Sequence, residues 1–394
     1  MSELMQSETS AWRRIVIQTM ALIVDAYREV NSKKLFWLTV IFSLLIAAVF
    51  AFVGINERGI TLFTAEFPGP WNTNILPRDQ FYKTIFTAIA IPWWLGVFAT
   101  VLALISVCSI FPDLLTGGSI DLYLAKPVSR LRLFLTKYLL GLTFAALQVT
   151  VFTLACFLVM GIRGGSWEWR TFIAIPLVTL FFSYLFCMCV FVGILTRSSI
   201  ASLLLTVLFW GLLFGLNTTD GALLSIRSWF EERLDNQQRL VEYNADLLTR
   251  NEAMPTTQKS NLSEIERQQG LAIQKLAEVQ ATTDRLKWWH TLFVRIKTPF
   301  PKTSETVELM NRWLVPPETT IAVSRENARL HEERRARRGR PRDPDHVEPN
   351  DPAVLERTQQ AIASRTAVKI IGSSLGFEAV VLGLAALVFC RRDF

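Results

Sequence analysis

The feature that most limits what this chain can become is a run of 29 residues, Thr84 to Pro112, without one charged side chain. About 20 apolar residues in helical form cross the hydrocarbon core of a bilayer. Charge-free runs of similar size extend from Tyr138 to Ile162, Thr171 to Thr196 and Ser198 to Thr219. Six spans are therefore expected: Leu35 to Val53, Ile85 to Phe111, Tyr138 to Met160, Phe172 to Leu195, Ser199 to Leu216 and Ile370 to Cys390. The fourth and fifth should be joined by a tight turn at Thr196, Arg197 and Ser198. Only 19% of the residues are charged, against about 25% in a soluble domain, which argues against a soluble enzyme. The expected fold class is all-α, a polytopic membrane protein with six transmembrane helices. An N-terminal amphipathic connecting helix and a long helical insertion between the fifth and sixth spans complete it.

Orientation follows from lysine and arginine in the short loops, which favour the cytoplasmic side. With the N-terminus inside, the inner segments hold 12 such residues and the short outer loops 5. Both termini are thus expected in the cytoplasm of a bacterial cell, with the spans in its plasma (inner) membrane. The net charge of +7 fits these flanking cations and implies lipid contact, not nucleic acid. No cleavable signal peptide is evident, because the first apolar run starts behind a long charged segment.

The layout divides into residues 1–34, the five spans of 35–216 with a loop at 112–137, an extracytoplasmic insertion at 217–369, and the last span and tail at 370–394. In the first segment Trp12, Ile15, Val16, Met20 and Ile23 recur at helical spacing, as in a helix lying in the membrane interface. In the insertion, Leu234, Val241 and Leu248 repeat every seven residues. Ile265, Ala272, Val279, Leu286 and Phe293 do the same. With Pro255 between them, the two stretches read as an antiparallel hairpin over 225–297. Gln237, Gln269 and Gly270 interrupt its seam. Glu308 to Leu314 is a candidate short interfacial helix. Residues 325–352 carry Arg334, Arg335, Arg337, Arg338, Arg340 and Arg342 among Pro, Asp and Glu, a composition expected to be disordered.

Several chemistries lack their residues. No GxxxxGK[ST] is present to cradle a nucleotide phosphate, and no HExxH to hold zinc. The three histidines, His290, His331 and His346, all lie in the insertion. The five cysteines, Cys108, Cys156, Cys187, Cys189 and Cys390, fall in or at the end of apolar runs and read as packing residues. No metal site and no cofactor are expected. Gly164, Gly165 and Ser166 read as a turn beside the interface aromatics Trp167 and Trp169. One ionisable residue, Glu378, stands inside a span, where its cost in lipid directs it to the bundle interior. It reads equally as a carboxylate on a substrate path and as a structural hydrogen-bonding partner.

The most informative stretch is Asp113-Leu-Leu-Thr-Gly-Gly-Ser-Ile-Asp-Leu-Tyr-Leu-Ala-Lys-Pro-Val-Ser-Arg130, followed after six residues by Lys137. Its apolar residues are too few and too interrupted to cross a membrane. Pro127 should end a helix near Ala125 or Lys126, and Ser129 should cap the next. This pattern resembles the cytoplasmic loop of ABC-2 type permeases, the membrane subunits of many ABC exporters. Gly118, Ser119, Leu122, Leu124, Pro127, Ser129, Arg130 and Lys137 carry the resemblance. The family often has a glutamate before the glycine, where Asp113 is the nearest acid here. The terminal Cys-Arg-Arg-Asp-Phe394 is similar to the family's ending. Within the family the chain looks closest to the group of the nitrous-oxide-reductase maturation and gliding-motility permeases. The resemblance covers residues 11–219 and 369–394 and leaves the insertion out.

The resemblance implies a permease that pairs with a second permease, identical or not, and binds cytosolic ATPase subunits. Those subunits, not this chain, would hold ATP and magnesium, so the chain itself is not expected to be an enzyme. Gly118, Ser119, Asp121, Leu122, Leu124, Lys126, Pro127, Ser129 and Arg130 would form the contact with the ATPase. A different class remains beside it, a non-transporting membrane anchor that presents the outer hairpin to a periplasmic partner. The topology is testable at once. A cysteine placed at Gln258 should react with an impermeant maleimide in intact cells, and reaction only after permeabilisation would put the hairpin inside.

Overall fold

A computed structural model describes residues 34–63, 65–68, 72–73, 76–116, 129–252, 262–315, 325–326, 329–330, 333, 347 and 351–391. Outside the described residues lie the expected N-terminal amphipathic helix, the Gly118–Pro127 stretch, the hairpin tip with Pro255, and all six arginines of the Arg334–Arg342 run. In chain order the elements are α1 (Lys34–Phe52), β1 (Val53–Asn56), β2 (Gly59–Leu62), β3 (Ala65–Pro68), α2 (Arg78–Ile85), a π-helical segment (Phe86–Ala99), α3 (Thr100–Val107) and α4 (Ile110–Thr116). Then follow α5 (Arg130–Gly164), a 3-10 turn (Trp169–Ile173), α6 (Ala174–Thr196), α7 (Ser199–Glu252), α8 (Leu262–Lys297), α9 (Thr303–Leu314), α10 (Pro352–Ala363) and α11 (Ala367–Arg391). Among the described residues six helical stretches are long and apolar enough to cross a membrane, and they coincide with the six expected spans. The chain divides into two compact units. One comprises 1–214, 300–316 and 367–394, the other 215–299 and 317–366.

In the first unit local chemistry sets the ends of the helices. The Ser129 side chain accepts from the Arg132 amide and caps α5, as its sequence position suggested. Gly165, at φ 72°, closes the same helix in the left-handed conformation. Arg197 does this for α6 at φ 53° and forms the expected tight turn into α7. Two departures from the sequence reading stand out. A three-stranded antiparallel meander, β1-β2-β3, follows α1, so the fold is not purely helical. Its strands are four residues long, below the length at which alternation becomes legible, and Phe63 turns the second corner at φ 55°. The second span is also not one regular helix. Pro92, which has no N–H to donate, lies within its π-helical segment, and the Thr100 hydroxyl donates to the carbonyl of Leu95, five residues back, at 2.7 Å.

Large rings fill the interior of this unit. Phe134, Phe144, Phe152, Phe182, Tyr184, Phe186 and Phe389 are among its fully buried side chains. Tyr138 stacks on Phe186 with ring centroids 5.2 Å apart. That packing needs Gly141, because a Cβ there would overlap the Phe186 ring. The segment expected to lie at the interface instead packs inside. α9 starts at Thr303, earlier than expected, and buries Leu309, Met310 and Leu314. It belongs to the first unit and not to the insertion. The five cysteines are free, four of them buried.

The second unit holds the hairpin. The side-chain pairs fix its sense, since Asp220 meets Lys297 while Glu231 meets Lys287, an antiparallel arrangement. Helix α7 runs unbroken from Ser199 to Glu252, so no gap separates the fifth span from the expected hairpin start at Ser225. On α8, Ala272 and Val279 are buried, and so are Thr283, His290 and Lys297 at the other seam position. The seam thus alternates spacings of three and four, as knobs into holes require, but it turns polar toward Lys297. Asp351 accepts from the Ala353 amide and caps α10, with Pro352 at its first position.

Gly141→Ala should cost about 1–3 kcal/mol through overpacking against Phe186, read as a lower melting temperature in detergent. Gly211→Ala, where a Cβ meets nothing within 4 Å, should leave the melting temperature unchanged or raise it through helix propensity.

Candidate functional site

Of the loop residues singled out in the sequence, Ser129 and Arg130 are described, and both sit at a junction of helix ends. Phe111 of α4, Phe134 of α5 and Phe389 of α11 are buried together. Their centroids lie 5.3 Å (Phe111–Phe134), 5.8 Å (Phe134–Phe389) and 6.4 Å (Phe111–Phe389) apart. Arg130 donates from Nη1 to the carbonyl oxygen of Cys390 at 3.3 Å. Pro112 lies against Gly193 of α6, where an added Cβ would sit 3.3 Å from the proline Cδ. The two ends that flank the 117–128 loop are therefore packed on one another and on the end of the last span. Gly118, Ser119, Asp121, Leu122, Leu124, Lys126 and Pro127 lie outside the described residues.

Glu378 is 7% exposed and lies in the interior. Its Oε1 accepts from the Tyr138 hydroxyl at 2.7 Å and its Oε2 from the Ser183 hydroxyl at 2.8 Å. One carboxyl thus ties α11 to both α5 and α6. Among the described residues no lysine, arginine or histidine forms an ion pair with it. Both carboxylate oxygens are therefore engaged inside the bundle. A buried polar group is tolerated when its hydrogen bonds are met, and here both oxygens are met by hydroxyls.

The sequence reading missed a second polar centre, in the second unit. Asp220 is 3% exposed and is the first charged residue past the fifth span. Its Oδ2 accepts from Lys297 Nζ at 2.8 Å and Arg365 Nη1 at 2.7 Å, and its Oδ1 lies 3.2 Å from His290 Nε2. The far nitrogen of His290, Nδ1, lies 3.4 Å from Arg227 Nη1. A neutral imidazole protonated at Nε2 satisfies both contacts, donating to Asp220 and accepting from Arg227. Burial alone would raise the Asp220 carboxyl, but hydrogen bonds and charge from Arg365 and Lys297 outweigh it and hold it at about 2. Burial pushes the His290 imidazole below its usual range, with Asp220 pulling the other way. Asp220, Lys297 and Arg365 each lie within five residues of an end of a chain segment of this unit. A signal for them existed in the sequence. Asp220 and Arg227 continue the Leu234 heptad backward, and polar residues at seam positions require partners.

Among the described residues no group of histidine, cysteine, aspartate and glutamate is placed to hold a metal ion. Compared with protein-family models, with curated proteins and with solved structures, the chain matches none.

The Asp220 centre has a pH dependence of definite sign. The folded form prefers neutral His290, so its contribution is present above the unfolded imidazole value of about 6.5. It is lost as pH falls through that value toward the lower folded one. Asp220 adds nothing in this window, because its carboxylate is lost only on approach to about 2. Amide exchange along residues 283–297 should therefore quicken between pH 7 and pH 5. In His290→Gln, which keeps a donor for Asp220, that acceleration should vanish; persistence would place the effect elsewhere.

Proposed function

We propose that this chain is the membrane-spanning permease subunit of an ATP-binding-cassette transporter of the ABC-2 type, with both termini cytoplasmic and ATP hydrolysed by a separate cytosolic subunit. Three things support the reading. Among its described residues the chain has six helices long and apolar enough to span a membrane. It carries the Gly118–Lys137 pattern between the second and third of them. It contains no phosphate-cradling motif of its own.

The observation that carries the proposal is the packed junction on either side of that pattern. A loop that takes a push must be anchored at both ends, or its motion dissipates in its own flexibility. Here Phe111, Phe134 and Phe389 form one buried cluster, and Arg130 donates to the Cys390 carbonyl near the end of α11. Force applied to residues 118–130 would reach the second, third and sixth spans together. ATP-driven closure of two ATPase subunits on two such loops would shift the permease between access states. That works only if the loop makes different contacts in each state, and the 118–130 stretch is where such contacts would form. A second permease is the expected neighbour of the fifth span, whose Ile200, Leu204, Leu208 and Phe214 stay uncovered within this chain. In this scheme Glu378 fastens three spans into a body that moves as one.

Purification in mild detergent from the native membrane, followed by mass spectrometry, should yield a stoichiometric soluble partner with a nucleotide-phosphate motif. Leu122→Asp combined with Arg130→Glu should abolish that association while leaving membrane insertion intact. Recovery of the partner with the double variant would remove residues 118–130 from the contact. Absence of any such ATPase from the wild-type preparation would remove the transporter reading itself.

A further inference from the structure

The three-stranded meander of the first unit has two chemically different faces. No single strand is long enough to show it, but the register adds the strands together. Residues opposite one another across antiparallel strands share a face, so Val53 and Ile55 fall with Leu62 and Ile60, and these with Ala65 and Phe67. All of them are apolar. The other face carries Gly54, Asn56, Gly59, Thr61 and Glu66. There Asn56 and Arg58 both donate to the Glu66 carboxylate, at 2.9 and 3.4 Å. The apolar face is covered at its start, where Ile55 is buried, and open at its end, where Leu62, Ala65 and Phe67 are exposed. Phe67 is 57% exposed, and Phe63, at the adjoining corner, 62%.

What covers this surface follows from where it begins. Helix α1 ends at Phe52 and β1 starts at Val53, with no linker between them. Along α1 the exposed residues Trp37, Ile41, Leu45, Ala48 and Phe52 recur at spacings of three and four, which places them on one side of the helix. In a spanning helix such a side meets lipid. Phe52, the last of the row, stacks on Phe63 with ring centroids 4.2 Å apart, so the row runs without a break into the sheet. We propose that Leu62, Phe63 and Phe67 form a lipid-binding surface, with their side chains among the upper acyl chains of the leaflet where α1 ends. Three such side chains by themselves supply far less than the roughly 800 Å² that each partner buries in a stable protein interface, whereas entry into lipid needs no minimum area. The depth is bounded. Strand β3 is an edge of the sheet, and an open sheet edge is not tolerated in hydrocarbon. Side chains therefore enter while the backbone stays at headgroup level, as in amphipathic elements that lie in the interface, and Asn56, Arg58 and Glu66 remain toward water. Nothing in this depends on the transporter reading; it rests on α1 as a spanning helix.

The test uses the full chain with Cys390→Ser, which leaves four buried thiols. Phe67→Cys, Arg58→Cys and Leu45→Cys are each labelled with an environment-sensitive fluorophore in detergent and placed in phosphatidylcholine nanodiscs. The discs carry a doxyl quencher either high on the acyl chain or near its end, and iodide quenches from water. At Phe67 the high doxyl should remove more fluorescence than the low one, and iodide should remove little. At Arg58 iodide should quench and doxyl should not. Leu45, near the middle of α1, should lose most to the low doxyl; failure there would remove the membrane reading and the proposal with it. If Leu45 responds as expected, the proposal alone is overturned when Phe67 is quenched by iodide, as on a surface in water. It is equally overturned when Phe67 is quenched by neither reagent, as under a second copy or another protein. Phe63→Cys repeats the measurement at the adjoining corner in case the change at 67 disturbs β3.

Discussion

An apolar helix in a bilayer gains little by turning its leucines toward another helix, because lipid tails are equally apolar. What holds such helices in one arrangement is fit and a few polar contacts. The first unit shows both at one place. Tyr138 stacks on Phe186, the absent side chain of Gly141 makes room for that ring, and the Tyr138 hydroxyl reaches Glu378. The same carboxyl takes the Ser183 hydroxyl. Helices α5, α6 and α11 thus share one hydrogen-bonded pivot in a part of the protein otherwise built from rings. Remove it and dispersion contacts remain, but little selects one rotation of each helix over another.

The second unit works under the opposite constraint. Its hairpin seam is too polar near Lys297 to be held by burial alone, so charge takes over where leucine runs out. One carboxylate, Asp220, receives lysine, arginine and imidazole together. A buried charge left alone is expensive, and breaking such a cluster at one member strands the others. This makes the Asp220 centre a specifier of arrangement more than a source of stability.

The spans were legible in the sequence because twenty apolar residues have few other uses, and the hairpin because heptads repeat. Ser129 as a cap and Glu378 as an inward-facing residue were legible for the same reason: each is a polar group whose position leaves one inexpensive solution. The meander at 53–68 was not, since strands of four residues carry too little alternation to register. The packing of α9 inside the first unit was missed because an amphipathic helix looks alike whether its apolar face meets lipid or protein. The Asp220 centre was missed because its partners lie 70, 77 and 145 residues from Asp220 along the chain, and the heptad position of Asp220 does not say which residues answer it.

The turn at Arg197 has a consequence beyond geometry. A left-handed conformation costs an ordinary residue roughly 1–2 kcal/mol that glycine escapes. At the parallel place after α5 the chain uses glycine, Gly165, for the same conformation. At 197 it accepts the strain and keeps a cation. Between two apolar runs with no other charge from Thr171 to Thr219, that guanidinium is costly to draw into the apolar core of a bilayer, so it keeps the corner at a polar boundary. A glycine there would relax the turn and give up the charge that holds it out of the apolar layer.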